Sequence, residues 1–209
     1  MIVAIFLAAA APTAVDAEYA FARDAQRIGQ WTAFRKWADR DAVTFTPKAV
    51  WAREFLKNRK DPPKAIRWRP AASYVSCDGH TAVNTGPWFT ADGKAAGYFT
   101  TVWQYTNRHW RWAYDGGGPL KDAPPPASKP RISRASCAGR PPGPPIMPPP
   151  PLSPKQARTT PEDNGRGQSA DATLGWDWKV DKKDIRHLRV YSWNGQRYVE
   201  VLSNEVPPQ

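Results

Sequence analysis

Residues 97–118 read GYFTTVWQYTNRHWRWAYDGGG. Trp110, Trp112 and Tyr114 alternate with polar or small residues, and this period of two places the aromatic rings on one face of a strand. A turn near Asn107 joins that strand to an equally aromatic one before it. The stretch therefore predicts a β-hairpin with one buried aromatic face.

The chain before this hairpin shows helical periodicity. Trp31, Phe34 and Trp37 recur at i, i+3 and i+6, which is the apolar stripe of a short helix. Trp51 and Phe55 belong to the apolar face of another. The predicted helices cover residues 16–29, 31–38 and 48–58, and a short β-branched strand covers residues 41–47.

The C-terminal half begins with a proline-rich segment. Residues 119–154 carry most of the 23 prolines, so this part is predicted to be extended and unable to form a core. Gly116-Gly117-Gly118 is predicted to be a flexible exit into it. Strands return later, because Trp176 and Trp178 alternate with charged residues and Asn194-Gly195 favours a hairpin. Three short strands are marginal alone, so we expect them to pack on the first domain with the proline-rich segment as a surface strap.

Composition restricts the partners. The chain has 209 residues and a net charge of +11, but its basic residues are scattered among acidic ones and form no recognised nucleic-acid motif. We therefore expect no specific nucleic-acid partner. His80, His109 and His187 lie far apart without metal-ligand spacing. No metal and no cofactor are predicted.

The first residues, MIVAIFLAAAA, form an apolar run that Pro12 interrupts. A membrane-spanning helix needs roughly 20 apolar residues, so the run predicts a secretory signal rather than a transmembrane anchor. Cleavage is expected after Val15-Asp16-Ala17 or among the preceding alanines, with a mature chain from near Glu18 in the periplasm or outside the cell. The alternatives are a buried first helix and a misassigned start codon.

Two cysteines, Cys77 and Cys137, are present. In an exported protein they would form a disulfide that closes a loop of about 60 residues. The alternative is a pair of separate thiols.

The order of helices, strand, helix and curved antiparallel sheet resembles the nuclear transport factor 2-like superfamily, near its SnoaL-like and ketosteroid-isomerase-like small bacterial members. The resemblance lies in AFRKWADRDAVTFTP (33–47) and in the hairpin of residues 97–117, and it covers residues 16–118. It implies an α+β fold in which helices and a curved antiparallel sheet form a cone, a pocket between them, and a homodimer. The predicted divisions are a signal peptide (1–17), this domain (18–118), a proline-rich linker or strap (119–172) and a C-terminal β-hairpin or three-strand extension (173–205).

The resemblance does not bring catalytic residues with it. The isomerase-like branch has an aspartate base directly before the proline that ends the first strand, and this chain has Thr46 there, before Pro47. A threonine hydroxyl is no base near neutral pH unless another group activates it. Asp115 could lie at the mouth of the cone or make local turn contacts. The residues predicted to line a pocket, each with ordinary core packing as its alternative, are Phe34, Trp37, Thr46, Trp51, Phe55, Trp103, Trp112, Tyr114 and Asp115.

Three functions fit these observations. The first is an exported, non-enzymatic protein that binds a small apolar ligand in the cone or serves as a scaffold. The second is an isomerase- or hydrolase-like enzyme with unrecognised catalytic groups, which polar pairs of strongly shifted pKa inside the pocket would favour. The third is an envelope protein that docks a partner through its proline-rich segment.

Overall fold

The computed structural model describes residues 11–122, 124–125, 127–139, 141 and 163–208. The apolar run at residues 1–10 and, within the predicted strap, residues 123, 126, 140 and 142–162 therefore lie outside the described residues. The helices are α1 (Ala14–Ile28), α2 (Gln30–Trp37) and α3 (Ala52–Leu56). The strands are β1 (Ala38–Phe45), β2 (Ala49–Trp51), β3 (Arg67–Trp68), β4 (Ala72–Val75), β5 (Thr81–Phe89), β6 (Ala96–Thr106), β7 (His109–Leu120), β8 (Arg131–Arg134), β9 (Asn164–Gln168), β10 (Leu174–Val180), β11 (Arg186–Trp193) and β12 (Tyr198–Val206).

Helix α1 begins with a capping box. The Thr13 hydroxyl accepts from the Asp16 amide at 3.2 Å, and the Asp16 carboxylate accepts from the Thr13 amide at 2.9 Å. The buried side chains of α1 follow helical spacing at positions 14, 17, 18, 21 and 25. The predicted signal boundary after Ala17 thus falls inside this helix, whose first turn belongs to the core.

The first sheet has eight strands in the order β2-β1-β7-β6-β5-β4-β8, with β3 beside β5. It is mixed, because β1 runs parallel to β7 and β4 parallel to β8. This corrects the predicted antiparallel sheet. Neither parallel pair is consecutive along the chain, since other strands lie between β1 and β7 and between β4 and β8, so no tight hairpin forces these pairs to be antiparallel.

Two local predictions were wrong. The predicted helix over residues 48–58 is a short strand, β2, followed by only five helical residues, because the chain turns at Thr46–Lys48 and pairs Val50 with Thr44 on β1. Gly116-Gly117-Gly118 is no flexible exit and belongs to β7. A Cβ at Gly117 would lie 2.0 Å from the Tyr98 carbonyl oxygen, so close pairing with β6 excludes a side chain there.

The C-terminal region is a four-stranded antiparallel sheet in the order β12-β11-β10-β9, rather than a three-stranded extension. Strand β9 has the sequence NGRGQ, without apolar alternation, and its glycines lie opposite the tryptophans of β10. A Cβ at Gly165 would be 2.6 Å from Trp178, and one at Gly167 would be 2.3 Å from Trp176. The missing side chains leave room for the indole rings.

The first sheet therefore lies between two cores. Helices cover one face, where Phe21, Trp103 and Trp112 are among the buried residues. The second sheet covers the other face, where Trp176, Trp178 and Val190 pack with a buried cluster from the first sheet that includes Val83, Val102 and Tyr114. The predicted packing of the C-terminal strands on the first domain is confirmed by these three residues. Burial of Val199 on β12 was also predicted, and this side chain is instead partly exposed.

The predicted cysteine pair meets at the edge of the first sheet. Cys77 follows β4 and Cys137 follows β8, and their Cα atoms lie 5.2 Å apart, within the range that a disulfide requires. Among the described helices, none has the length and apolar character needed to cross a membrane.

Candidate functional site

A cavity of about 490 Å³ opens where the helices, the glycine-rich end of β7 and the edge of the second sheet meet. We call it the cone-mouth pocket. Ring-bearing residues dominate its wall, and the polar groups are few, which is the usual composition of a small-molecule site. The aromatic lining residues are Phe21, Trp31, Phe34, Phe45, Phe55, Trp68, Trp88, Tyr98 and Phe99.

The aromatic wall is held by edge-to-face contacts. The Phe21 ring lies 4.7 Å from Phe34 and 4.9 Å from Trp68, and Trp31 lies 5.5 Å from Phe34. Arg59 covers the rim, because its guanidinium carbon is 4.8 Å from the Trp31 ring centroid and 4.5 Å from that of Phe55. The wall is consequently a connected set of rings supported by α1, α2 and α3.

Asp115 supplies a carboxyl group to this pocket. It lies on β7 opposite Thr101, whose hydroxyl donates to Asp115 Oδ2 at 3.0 Å. Desolvation by the surrounding protein raises the pKa of Asp115 to about 7; the Thr101 hydrogen bond partly offsets the rise, repulsion from Glu18 adds to it and Arg186 opposes it. The group therefore changes its charge near neutral pH.

Glu18, on α1, is a second carboxyl group under the helices and is fully buried. Trp103 Nε1 donates to it at 2.6 Å, Trp68 Nε1 at 2.8 Å and Asn84 Nδ2 at 3.2 Å. Burial raises the pKa of Glu18 to about 7, although these three hydrogen bonds act in the opposite direction. Glu18 is absent from the pocket lining but lies beneath it, because Trp68 contacts both.

The second sheet contributes Asp184, Arg186, Val206 and Pro207 to the pocket. Arg186 is 8% exposed, and its guanidinium carbon lies 4.3 Å from the Phe45 ring centroid. Its Nη2 donates to the carbonyl oxygen of Gly117. The C-terminal extension thus completes the site as well as covering the sheet.

The predicted lining residues divide into two groups. Phe34, Thr46, Phe55 and Asp115 line the cone-mouth pocket. The others lie in the cores: Trp37, Trp103 and Trp112 under the helices, and Trp51 and Tyr114 between the two sheets. Burial raises the pKa of the Tyr114 hydroxyl above its ordinary value.

Several residues of the cone-mouth pocket were not predicted from the sequence. Trp31 was identified only as part of a helical stripe, and Trp68, Trp88 and Arg59 lie in segments without a clear period. Arg186 is separated from Asp115 by about 70 residues of sequence, and no local signal connects them. Within the described residues, no group of three or more His, Cys, Asp or Glu side chains is arranged to hold a metal ion.

Comparison with known proteins gives similarity of fold only. No protein-family model matches the chain, and no curated protein is similar to it. Among solved structures, an NTF-2-like protein of unknown function from Shewanella oneidensis MR-1 is 16% identical, with a TM-score of 0.40, over 47% of this chain and 91% of that one. A protein of unknown function from the DUF3225 family, from Pectobacterium atrosepticum SCRI1043, is 14% identical, with a TM-score of 0.39, over 51% and 89% of the two chains.

The Shewanella protein is described as NTF-2-like. Both similarities extend over about half of the chain. They assign no role to any residue of the pocket.

Proposed function

We propose that the protein binds a small, mainly aromatic or aliphatic molecule in the cone-mouth pocket. The observation that carries this proposal is the cavity itself: about 490 Å³, walled by aromatic rings, with a few polar groups at one side. Pockets of this size and composition hold small organic molecules. The rings would bury the apolar part of the ligand, and the polar side would orient it.

A neutral probe, 2-naphthamide, tests the proposal by isothermal titration calorimetry. Thr46 is an exposed residue of the lining, so Thr46→Trp fills the mouth with little disturbance of the core. Thr106→Trp, at the exposed far end of β6, is the matched control. We expect the blocking variant to weaken binding by at least about tenfold and the control to leave it unchanged. Absence of binding to the unaltered protein, or equal binding by both variants, would contradict the proposal.

A second function, proton-transfer catalysis, is favoured by one observation. Asp115 has a pKa of about 7 and faces the pocket, with Thr101 as its hydrogen-bond donor and Glu18 nearby. A carboxyl group with a pKa near the working pH suits general acid–base chemistry. Asp115 would take a proton from a carbon next to a carbonyl group and return it to the same or a neighbouring carbon.

Deuterium exchange of 2-tetralone tests this chemistry. In D₂O the Asp115 carboxylate would remove a C–H proton next to the ketone. The carboxyl group would exchange this proton for a deuteron from the solvent and then pass the deuteron to the carbon of the enolate. NMR would follow the loss of the C–H signal. We expect exchange to be slowed by about 10²-fold or more in Asp115→Asn and to be unaffected in Asp92→Asn, which alters an exposed turn. Exchange at the buffer rate with the unaltered protein would exclude catalysis of this step.

Export is also part of the proposal. Its support is the apolar start and the approach of Cys77 to Cys137, which suits an oxidising compartment. The contacts of α1 favour cleavage among the alanines that precede Pro12: the Pro12 carbonyl accepts from Trp110 Nε1 at 2.7 Å, and the Ala14 carbonyl accepts from Asn84 Nδ2 at 3.0 Å. Cleavage before Glu18 would remove both contacts. Mass spectrometry of the native protein should show that Met1 has been removed and that the new N-terminus lies among the alanines before Pro12 or at Pro12 itself. An intact Met1 in a cytoplasmic fraction would contradict export.

A further inference from the structure

Arg186 occupies a setting that is costly for a cation. Its side chain is 8% exposed, and within the described residues no carboxylate forms an ion pair with it. Its Nε is buried without a hydrogen-bond partner, and its Nη2 donates to the neutral carbonyl of Gly117. Burying a charge without compensation is unfavourable, so the arrangement calls for an anion.

The nearby carboxyl groups do not supply that anion. Asp184 lines the pocket, but its Oδ1 pairs with Lys48 at 2.8 Å. Asp115 attracts Arg186 electrostatically but does not form an ion pair with it, and its Oδ2 accepts a hydrogen bond from the Thr101 hydroxyl on β6. The side chain of Arg186 therefore lines the cavity with its guanidinium over the Phe45 ring and, among the described residues, without an ion-pair partner.

We infer that Arg186 recognises a carboxylate on the ligand, so that the cone-mouth pocket takes a small aromatic or aliphatic monocarboxylate. The inference rests on the proposed binding function and names the chemical class of that ligand. The guanidinium fork matches a carboxylate in geometry and forms charge-assisted hydrogen bonds with it. The aromatic wall opposite receives the apolar body, and Arg59 at the rim adds positive potential at the entrance.

This inference gives the second sheet a role in ligand recognition. Arg186 is the first residue of β11, and Val206 opposite it on β12 also lines the pocket. The recognition group therefore comes from the C-terminal extension, whereas the apolar wall comes from the first domain.

The test compares two probes of nearly equal shape, 2-naphthoate and its neutral amide, 2-naphthamide, by calorimetry at about pH 6 and physiological salt. The variants are Arg186→Met, which keeps much of the length without charge, and Arg186→Lys, which keeps the charge without the fork. Arg189→Met is the matched control. Arg189 lies on the same strand but outside the pocket lining, and its Nη2 forms an ion pair with Asp177 Oδ1 at a distance of 3.0 Å.

We expect the unaltered protein to bind 2-naphthoate at least about tenfold more tightly than the amide, which corresponds to about 1.4 kcal/mol. Arg186→Met should remove this preference, Arg186→Lys should keep part of it, and Arg189→Met should keep all of it. Retained affinity for the amide in Arg186→Met shows at the same time that the variant is folded. If that variant does not fold, the preference of the unaltered protein and its reduction in Arg186→Lys decide the question.

Two outcomes would overturn the inference and leave the proposed function intact. One is equal affinity of the unaltered protein for both probes. The other is a similar loss of affinity for both probes in folded Arg186→Met. Arg186 would then stabilise the shape of the pocket and would not distinguish a charged ligand from a neutral one. Failure of both probes to bind the unaltered protein would instead contradict the proposed function.

Discussion

The two faces of the first sheet differ in what they bury. The face under the second sheet joins apolar residues such as Val83, Val102 and Leu188 in a closed core. The face under the helices buries Glu18 and Asn84 together with tryptophan rings, and it opens into the cone-mouth pocket beside Asp115. The apolar face joins the two sheets. The helical face contains buried polar groups next to a cavity, and although their burial is energetically unfavourable, this combination is typical of functional sites.

The largest expected effect concerns the helical face. Trp112 is 0% exposed there, and Trp112→Ala should lower the free energy of unfolding by about 3–5 kcal/mol. Trp31, at the pocket rim, is half-buried, so Trp31→Ala should cost only about 1–2 kcal/mol. Denaturant unfolding of both variants measures the difference. A nearly unchanged midpoint for Trp112→Ala would show that this face is not a packed core.

The two cysteines of the predicted disulfide lie at the edge of the apolar face. Cys77 and Cys137 lie where the first sheet meets the second, because the Cys77 amide donates to Thr173 Oγ1 at 2.8 Å and the Ser136 amide donates to the Trp193 carbonyl. A bridge closing about 60 residues should stabilise the fold by about 3–4 kcal/mol in the chain-entropy model.

The double variant Cys77→Ser/Cys137→Ser should show this loss under oxidising conditions. With reductant present, the two proteins should unfold at nearly the same denaturant concentration. Equal stability in both conditions, together with two titratable thiols in the native protein, would rule out the bridge.

The buried carboxyl group of Glu18 on the helical face should make the free energy of unfolding depend on pH. Its pKa is about 7 in the folded chain and near 4.5 in the unfolded chain, so the fold favours the protonated form. Its contribution to stability is complete below about pH 4.5 and is lost as pH rises through about 7, a change of about 3 kcal/mol.

Glu18→Gln is the matched neutral variant and should lack this part of the pH dependence. Unfolding free energies at several pH values give the comparison. Asp24 should act in the opposite direction. Its partial burial alone would raise its pKa, but hydrogen bonds from Lys36, Arg27 and Trp37 lower the pKa to about 2, so its contribution to the stability of the fold is lost only in acid. Parallel pH curves for the unaltered protein and Glu18→Gln would show that Glu18 ionises freely.

More of the fold than of the candidate site could be predicted from the sequence. Alternating tryptophans predicted β7 and the docking of β10, since burial leaves a period in the sequence. Strand β9 had no such period, because its glycines leave space for the tryptophan rings of the neighbouring strand. The site joins Asp115 on β7 to Arg186 on β11. Their meeting depends on how two sheets pack, which no local pattern records, and the resemblance covered only the first of those sheets.

The smallest expected effect links the two regions through Asp115. This group ionises near pH 7 and interacts electrostatically with Glu18 on α1, Arg186 on β11 and Tyr114 on its own strand. Below pH 7 it is neutral, and above pH 7 its negative charge opposes an anion held by Arg186. The affinity for 2-naphthoate should therefore be highest near pH 6 and fall by about fivefold, or about 1 kcal/mol, by pH 8.

Asp115→Asn should hold the affinity for 2-naphthoate at its low-pH value throughout this range, and 2-naphthamide should show no pH dependence with either protein. Glu18 titrates in the same range, so Glu18→Gln is the control. If that variant, rather than Asp115→Asn, removed the pH dependence, the buried carboxyl of α1 would be the group that the anion senses. A fall of the same size in all three proteins would place the responsible charge outside both carboxyl groups and would separate the polar face from ligand recognition.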